Sequence, residues 1–159
     1  MPDLETTVRE LADRQAIADV IHAYCFHFDR NEPEAIAALF TDDATIDYGP
    51  EAERIQGAEA IAPTIAIGLA RTFAATSHHV SNLQIAFAGP DRAESVSYVY
   101  AWHRYVDGSP DGELWGCYRH VFVRERDGWR ISSLVLEAAG TVGFHRATMH
   151  DIGRRPPGR

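Results

Sequence analysis

Several features that mark common protein classes are missing from this chain of 159 residues. It has only two cysteines, Cys25 and Cys117, without a CxxC pair or zinc-type spacing, so we expect neither a disulfide framework nor a structural zinc site. No basic stripe precedes the last few residues, and the formal net charge is -8. We therefore predict no nucleic-acid partner, because such binding requires Lys and Arg to neutralise phosphates.

Long apolar runs and a leader pattern are also missing. The most apolar segment, residues 58–70, is shorter than a membrane span and contains Glu59 and Pro63, so we expect no membrane association. The first residues lack the basic start and the apolar run of a secretory signal. This pattern favours a cytoplasmic protein whose thiols stay reduced.

Three motifs that would indicate nucleotide binding or a serine nucleophile are absent: GxGxxG after a strand, GxxxxGK[ST] and GxSxG. The sequence therefore indicates neither a dinucleotide, nor a nucleoside triphosphate, nor a serine hydrolase. What remains is a set of acid–base and hydrogen-bonding side chains. Proton-transfer chemistry needs only such groups.

The content of 45% hydrophobic and 10% aromatic residues suits one domain with a sizeable core. The periodicity of apolar residues predicts helices at 6–29, 34–40 and 58–73, and strands at 44–49, 80–88, 92–106, 113–126 and 129–138. Helices followed by an antiparallel meander indicate an α+β fold with the helices on one face of a curved sheet. We assign residues 1–140 to the domain and 141–159 to a tail, whose last residues we expect to be mobile and which can cover a pocket.

The predicted strands carry apolar residues at both parities. For example, Tyr98 and Tyr100 alternate with Val99 and Ala101. A sheet exposed to water on one face would show polar residues at one parity. We therefore expect the helices to cover one face and another subunit to cover the other, which predicts a homo-oligomer, either a dimer or a trimer.

The first predicted helix ends with an acidic residue at the edge of its apolar stripe. Apolar residues from Ile17 to Phe28 follow helical spacing, and Asp29 lies beside them. Because an unpaired buried carboxylate is costly, Asp29 either turns to solvent or finds a buried partner. We expect the partner to be a histidine of the pair His78 and His79, in a pocket closed by tyrosines.

Histidine is the most informative residue type, with eight in the chain. His22 and His27 are five residues apart, which is not a chelating spacing on a helix, and we predict no metal site. Since adjacent strand residues point to opposite faces, only one of His78 and His79 can face a cleft. We favour His78, which shares a parity with Asn82; the alternative is that both histidines are polar residues at a helix end.

Four other positions have two interpretations each. His103 lies on an inward parity and is either an acid–base group or a neutral core histidine. Tyr24 and Tyr48 are core aromatics or hydroxyl donors. Arg119 shares its parity with Cys117, and it binds an anion or a carbonyl if that parity faces the pocket. If the parity faces a subunit interface, Arg119 forms a salt bridge there.

Together these motifs resemble the SnoaL-like branch of the nuclear transport factor 2 superfamily. The shared pattern begins with an Asp after an aromatic run, here Asp29, and an Asp-Tyr pair on a strand, here at Tyr48. It continues with a Ser/Thr-x-His-x-x-x-Asn junction at 76–82 and a closing Asp-Gly-Trp-Arg-Ile hairpin at 127–131. The similarity extends to about Ala138. It implies a cone-shaped α+β barrel, in which a curved antiparallel sheet holds the N-terminal helices on its concave face.

Within that branch the sequence most resembles scytalone dehydratase and bile-acid dehydratase, and a hexachlorocyclohexane dehydrochlorinase is also similar. The resemblance implies that Asp29 orients His78, that Tyr48 and Tyr24 address a carbonyl, and that His103 is a second acid–base histidine. All five are therefore candidate catalytic residues.

The resemblance also suggests substrate-binding residues. This chain places Cys117 and Arg119 where scytalone dehydratase carries a small hydroxyl and an amide, so we expect its substrate to have a different polar pattern. His79 and Asn82 complete the set of candidate substrate-binding residues.

The function implied by the resemblance is that of a cofactor-free lyase, which eliminates water or another β leaving group from a small hydrophobic cyclic or aromatic carbonyl compound. An isomerase or polyketide-type cyclase of the same fold would use the same enolate chemistry. The alternative from another class is a non-catalytic binding protein or accessory subunit. That alternative predicts that Asp29 and His78 do not meet, or that side chains fill the cavity.

Overall fold

Residues 3–153, the part of the chain that the computed structural model describes, form a layer of helices against one sheet. The helices are α1 (Leu4–Asp29), α2 (Pro33–Ala37) and α3 (Ala58–Thr72). The strands are β1 (Phe40–Asp47), β2 (Ile55–Gln56), β3 (Phe73–Phe87), β4 (Arg92–Tyr105), β5 (Gly112–Glu125), β6 (Gly128–Val142) and β7 (His150–Asp151). The α+β fold predicted from the sequence is confirmed.

Helix α1 is capped at its start and apolar towards its end. The Asp3 carboxylate accepts a hydrogen bond from the Thr6 backbone N–H at 2.8 Å, which satisfies one of the free N–H groups of the first turn. The buried stripe follows the spacing expected from the sequence and comprises Ile17, Ile21, Tyr24 and Cys25. Because this stripe packs into the core, the end of α1 and Asp29 come to lie against β3.

The sheet has the strand order β2-β1-β6-β5-β4-β3, and β7 pairs with β6. The pairs β3–β4, β4–β5 and β5–β6 are antiparallel hairpin neighbours, as the turn signals predict. β1 and β7 both pair with β6 in parallel. The sheet is therefore mixed and mostly antiparallel, rather than purely antiparallel as expected.

Two predicted boundaries were wrong for the same reason, namely strand pairing that periodicity does not reveal. β3 begins at Phe73, seven residues before the predicted start, because residues from Phe73 onward pair with β4. His78 therefore lies within a strand and not at a helix end. β1 begins at Phe40, which pairs with Ile131, so the second helix stops at Ala37.

The chain beyond β6 turns back and joins the sheet. β7 pairs with β6 at Glu137 and Ala138, next to the last β1 pair at Val135. We call residues 143–149, which connect β6 and β7, the C-terminal segment. The Glu51 carboxylate holds this segment by accepting hydrogen bonds from Ala147 and Thr148. The last residues of the tail, which were predicted to be mobile, belong to 154–159 and lie outside the described residues.

The two faces of the long strands differ in environment. In β4 the inward residues from Ala93 to Tyr105 are buried, whereas Tyr98 on the other face is 54% exposed. Trp115 of β5 is also exposed on that outer face. A second subunit over this face stays a prediction. Within residues 3–153, no helix combines the length and apolar character needed to cross a membrane.

One ion pair joins α1 to the far hairpin of the sheet. The Asp13 carboxylate accepts two hydrogen bonds from Arg124, at 2.9 and 2.6 Å, and one from Trp129 Nε1 at 3.1 Å. The hydrogen bonds from Arg124 hold the pKa of Asp13 below its usual range, although burial opposes them. The bidentate geometry fixes how the helix lies on the sheet.

We expect Asp13→Asn to lower the free energy of unfolding at pH 7 by about 1–3 kcal/mol, because it replaces a charge-assisted bidentate pair with weaker bonds. A carboxyl whose pKa is lowered in the folded state stabilises above its unfolded pKa and loses this contribution as the pH falls. The difference between Asp13→Asn and the unchanged chain should therefore shrink below about pH 4.

Urea denaturation at pH 7 and pH 3 measures this difference. Asp19→Asn is the matched control, because Asp19 lies on the exposed part of α1 and bonds only to the neighbouring Gln15. A pH-independent difference would contradict the assignment of the stabilisation to the Asp13 charge.

Candidate active site

A carboxylate–imidazole pair forms where the end of α1 meets β3. Asp29 Oδ1 accepts a hydrogen bond from His78 Nδ1 at 2.6 Å, and Oδ2 accepts one from the His78 backbone N–H at 2.8 Å. Thr76 Oγ1 donates to Oδ1 at 2.8 Å. Because a carboxylate can only accept, Nδ1 carries the proton and Nε2 keeps its lone pair.

The surroundings of the pair fix both its charge and its orientation. Burial raises the pKa of the Asp29 carboxyl, but the hydrogen bonds from His78 and Thr76 outweigh burial and hold that pKa below its usual range. The His78 side chain is only 5% exposed. Its ring packs edge-on against Phe28 and His103, with centroids 5.0 and 5.7 Å apart. The imidazole therefore has one orientation.

A cavity of about 240 Å³ lies beside His78, between the helices and the sheet. Its walls are mostly apolar and include Phe28, Ile65, Leu69, Phe73, Leu136 and Phe144. The polar side chains that reach it are few, chiefly Tyr48, His78, His103, Tyr118 and Arg146. An apolar cavity with a few convergent polar groups is typical of a small-molecule site.

Two tyrosines form a hydrogen-bonded pair behind this cavity. The hydroxyls of Tyr24 and Tyr48 are 2.6 Å apart. Burial raises the pKa of Tyr48 to about 12, although the Tyr24 hydroxyl lowers it, and burial raises the pKa of Tyr24 further. Tyr24 is buried and does not line the cavity, whereas Tyr48 does, so Tyr48 can donate its proton into the cavity when its hydroxyl accepts from Tyr24.

Tyr24 itself does not line the cavity, contrary to the expectation that both tyrosines address a substrate carbonyl. It lies in the α1 stripe, is 1% exposed, and packs against Tyr118 and Phe40. Tyr24 reaches the cavity only through the Tyr48 hydroxyl.

His103 lies on the inward parity of β4, as expected, and lines the cavity. Burial lowers its pKa to about 3, and the neighbouring His78 and His145 lower it further. Its Nδ1 atom is buried without a hydrogen-bond partner among the described residues. Burial and the lack of a partner at Nδ1 therefore favour the neutral form of His103.

The prediction that Cys117 and Arg119 line the pocket was wrong. On β5 the parity that faces the helices belongs to Tyr118 and its alternate neighbours, so Cys117 and Arg119 lie on the outer face. Arg119 is exposed there and donates to the Glu137 carboxylate at 2.8 Å, and the Cys117 thiol lies 3.4 Å from the same carboxylate. Neither residue can contact a molecule bound in the cavity.

The other two predicted binding residues are also outside the cavity. His79 follows His78 on β3 and so points to the outer face, where it packs against Tyr100 and its Nε2 lies 3.0 Å from the Ser77 hydroxyl. Asn82 lies in an irregularity of β3 between Ser81 and Gln84, with a φ of 50°. The irregularity breaks the parity that linked Asn82 to His78.

Sequence reasoning did not identify four residues of the cavity wall. Tyr118 is buried at the cavity, and the alternation of β5 would have revealed it if the other parity had been chosen. Phe144, His145 and Arg146 come from the C-terminal segment, for which no periodic pattern exists.

Among residues 3–153, no group of three His, Cys, Asp or Glu side chains is placed to hold a metal ion.

Comparison with known proteins identifies the family and supports the fold. A family model described as a SnoaL-like domain matches residues 9–135. A solved structure of a candidate scytalone dehydratase from Novosphingobium aromaticivorans is 34% identical, with a TM-score of 0.87, and the match covers 94% of this chain and 99% of that one. No relative is found among curated protein sequences.

More distant structures share the fold alone. A hexachlorocyclohexane dehydrochlorinase (LinA) type 2 is 21% identical with a TM-score of 0.80, and the match covers 96% of this chain and 99% of that one. A candidate aromatic ring hydroxylase from Novosphingobium aromaticivorans is 24% identical with a TM-score of 0.74, covering 79% and 88%. With the family model matched over residues 9–135, the chain belongs to the SnoaL-like domain family of the nuclear transport factor 2 superfamily.

Proposed function

We propose that this protein is a lyase that eliminates water from a cyclic hydroxy-carbonyl compound, with His78 as the general base and Asp29 as its orienting carboxylate. The observation that carries the proposal is the short Asp29–His78 hydrogen bond beside an apolar cavity. The similarity to a candidate scytalone dehydratase supports the reaction class. The chemistry requires proton transfer only.

In the first step His78 Nε2 takes a proton from the carbon next to the substrate carbonyl. Asp29 keeps the Nδ1 proton in place, so Nε2 always has its lone pair directed away from the carboxylate. As the proton leaves, the ionised Asp29 stabilises the imidazolium that forms. Assisted proton transfer of this kind contributes about 10²–10⁴-fold to the rate.

The negative charge that develops on the carbonyl oxygen requires hydrogen-bond donors. Tyr48 and Tyr118 line the cavity, and burial raises the pKa of both phenols, so both keep their protons at neutral pH. These phenols are the groups that address the enolate oxygen, in a cavity whose apolar walls strengthen each bond.

In the second step the enolate re-forms the carbonyl, a carbon–carbon double bond forms, and the carbon–oxygen bond to the β hydroxyl breaks. The proton on His78 Nε2 moves to the departing hydroxyl, which leaves as water and restores the neutral imidazole. His103 stays neutral beside His78, since its pKa is about 3. A neutral neighbour does not repel the imidazolium, so His103 supports the base rather than replacing it.

We expect Asp29→Asn to lower kcat by about 10²–10⁴-fold, because the amide can no longer fix the tautomer or stabilise the imidazolium. The measurement is the rise in absorbance as β-hydroxy cyclic ketones lose water and become conjugated enones. Parallel reactions in deuterium oxide detect removal of the proton next to the carbonyl, because deuterium from the solvent replaces it. If the recovered or rearranged ketone contains deuterium but no water is lost, the result would favour an isomerase.

Glu32→Gln is the matched control for this variant. His27 Nδ1 lies 2.6 Å from Glu32, which reproduces the geometry of the site pair, but neither residue lines the cavity. Loss of this second pair should leave kcat unchanged. An Asp29→Asn protein that folds and retains full activity would refute the proposed base.

We expect Tyr48→Phe to lower kcat by about 10–10³-fold with a smaller change in KM, because the lost hydroxyl bonds most strongly to the charged oxygen of the transition state. Tyr24→Phe should have a smaller effect, since it removes only the group that orients Tyr48.

Steady-state kinetics on the same ketones measure both effects of the tyrosine variants. The control is Tyr100→Phe, which removes a hydroxyl bonded to Glu113 on the outer face. Equal losses for Tyr24→Phe and Tyr48→Phe would contradict the proposed donor order.

A further inference from the structure

Arg146 is a cationic residue in the wall of an otherwise apolar cavity. It belongs to the C-terminal segment and lines the same cavity as His78. Its Nη1 donates a hydrogen bond to the Tyr48 backbone carbonyl at 2.7 Å, and its guanidinium carbon lies 5.9 Å from the centre of the Tyr48 ring. These contacts fix the position of the guanidinium without neutralising its charge.

Most arginines in the structure have a carboxylate partner, but Arg146 does not. Arg54, Arg119 and Arg124, for example, pair with Asp47, Glu137 and Asp13. Among residues 3–153, no carboxylate forms an ion pair with Arg146, and its strongest contact is to a neutral carbonyl. A partly buried cation without a counter-ion carries a desolvation cost that a bound anion would offset.

The nearby acidic residues do not neutralise the charge of Arg146. Glu51 already accepts three hydrogen bonds from Ala147 and Thr148. Glu53 also lines the cavity but is exposed, so solvent and salt screen its charge. Burial lowers the pKa of Arg146, and Tyr48 and Glu51 only partly oppose burial. A guanidinium nevertheless keeps its charge at neutral pH.

We propose that Arg146 is a specificity-determining residue, which binds a carboxylate carried by the ring compound that occupies the cavity. The planar guanidinium presents several N–H donors, and only Nη1 has a partner among the described residues. A carboxylate matches the remaining donors in a bidentate arrangement. The cavity of about 240 Å³ has room for a ring of one or two cycles with this group.

This inference deepens the proposed function and rests on it, since it assumes that the cavity beside His78 is the substrate site. It narrows the substrate class to cyclic hydroxy-carbonyl compounds that also carry a carboxylate. Binding of unreactive ligands tests the inference without turnover. The enolate forms only during the reaction, so the groups that stabilise it do not affect such binding. A preference for a stable carboxylate over its amide therefore reports on Arg146.

The experiment uses the full chain and two pairs of probes, benzoate with benzamide and 2-naphthoate with 2-naphthamide. Isothermal titration calorimetry gives the dissociation constant of each probe. We expect the carboxylate of at least one pair to bind about tenfold or more tightly than its amide. Arg146→Met should abolish this preference, and Arg146→Lys should retain part of it, because lysine keeps the charge but loses the planar donor pair.

Arg104→Met is the control for the loss of a positive charge, because Arg104 is exposed and pairs with Asp111 away from the cavity. It should leave the preference unchanged. Equal or undetectable binding of acid and amide in every pair would overturn the inference. A preference that survives Arg146→Met would also overturn it, even if the thermal midpoint falls, because Arg146 would then only attach the C-terminal segment to Tyr48, the residue after β1.

Asp29→Asn separates this inference from the proposed function. The variant should lose activity but keep the carboxylate preference, because Arg146 makes no contact with Asp29 among the described residues. If the wild-type protein is inactive but prefers carboxylates, only the lyase proposal fails. If it is active but shows no preference, only the proposed role of Arg146 fails.

Discussion

The hydrogen bonds between Asp29 and His78 join the two layers of the molecule at the point where chemistry is possible. Asp29 receives bonds from both the imidazole and the backbone of His78, so the carboxylate fixes a strand and a side chain together. This double contact needs the last turn of α1 to lie directly over β3. The buried stripe of α1 and the Asp13–Arg124 pair position the helix accordingly.

The environment of the pair is as important as its geometry. Burial alone would favour a neutral carboxyl at Asp29, yet three hydrogen bonds keep it ionised. Burial also favours the neutral form of His103, and there no hydrogen bond at Nδ1 opposes it. Asp29 and His103, which both lie next to His78, thus differ in charge because they differ in hydrogen bonding. In the proposed reaction, His78 is therefore the histidine that transfers the proton.

Local patterns in the sequence predicted the helices, the order of the hairpins and the residues on the inward parity of β4. They also predicted that Asp29 and His78 would meet. The errors have one origin, since the faces of β5 and the bulge at Asn82 depend on pairing between distant strands. Because adjacent residues of β5 face opposite sides, assigning the wrong parity to the cavity selected Arg119 instead of Tyr118. Arg146 was beyond prediction because its position depends on a segment without periodicity.

The C-terminal segment lies beyond residues 9–135, the part of the chain that the family model matches. It nevertheless supplies Phe144 and Arg146 to the cavity wall, and β7 and Glu51 anchor it on both sides. The proposed base and the proposed carboxylate-binding arginine thus come from separate stretches of the sequence. Exchange of the short terminal stretch would then change the substrate preference while the proton-transfer residues stay intact.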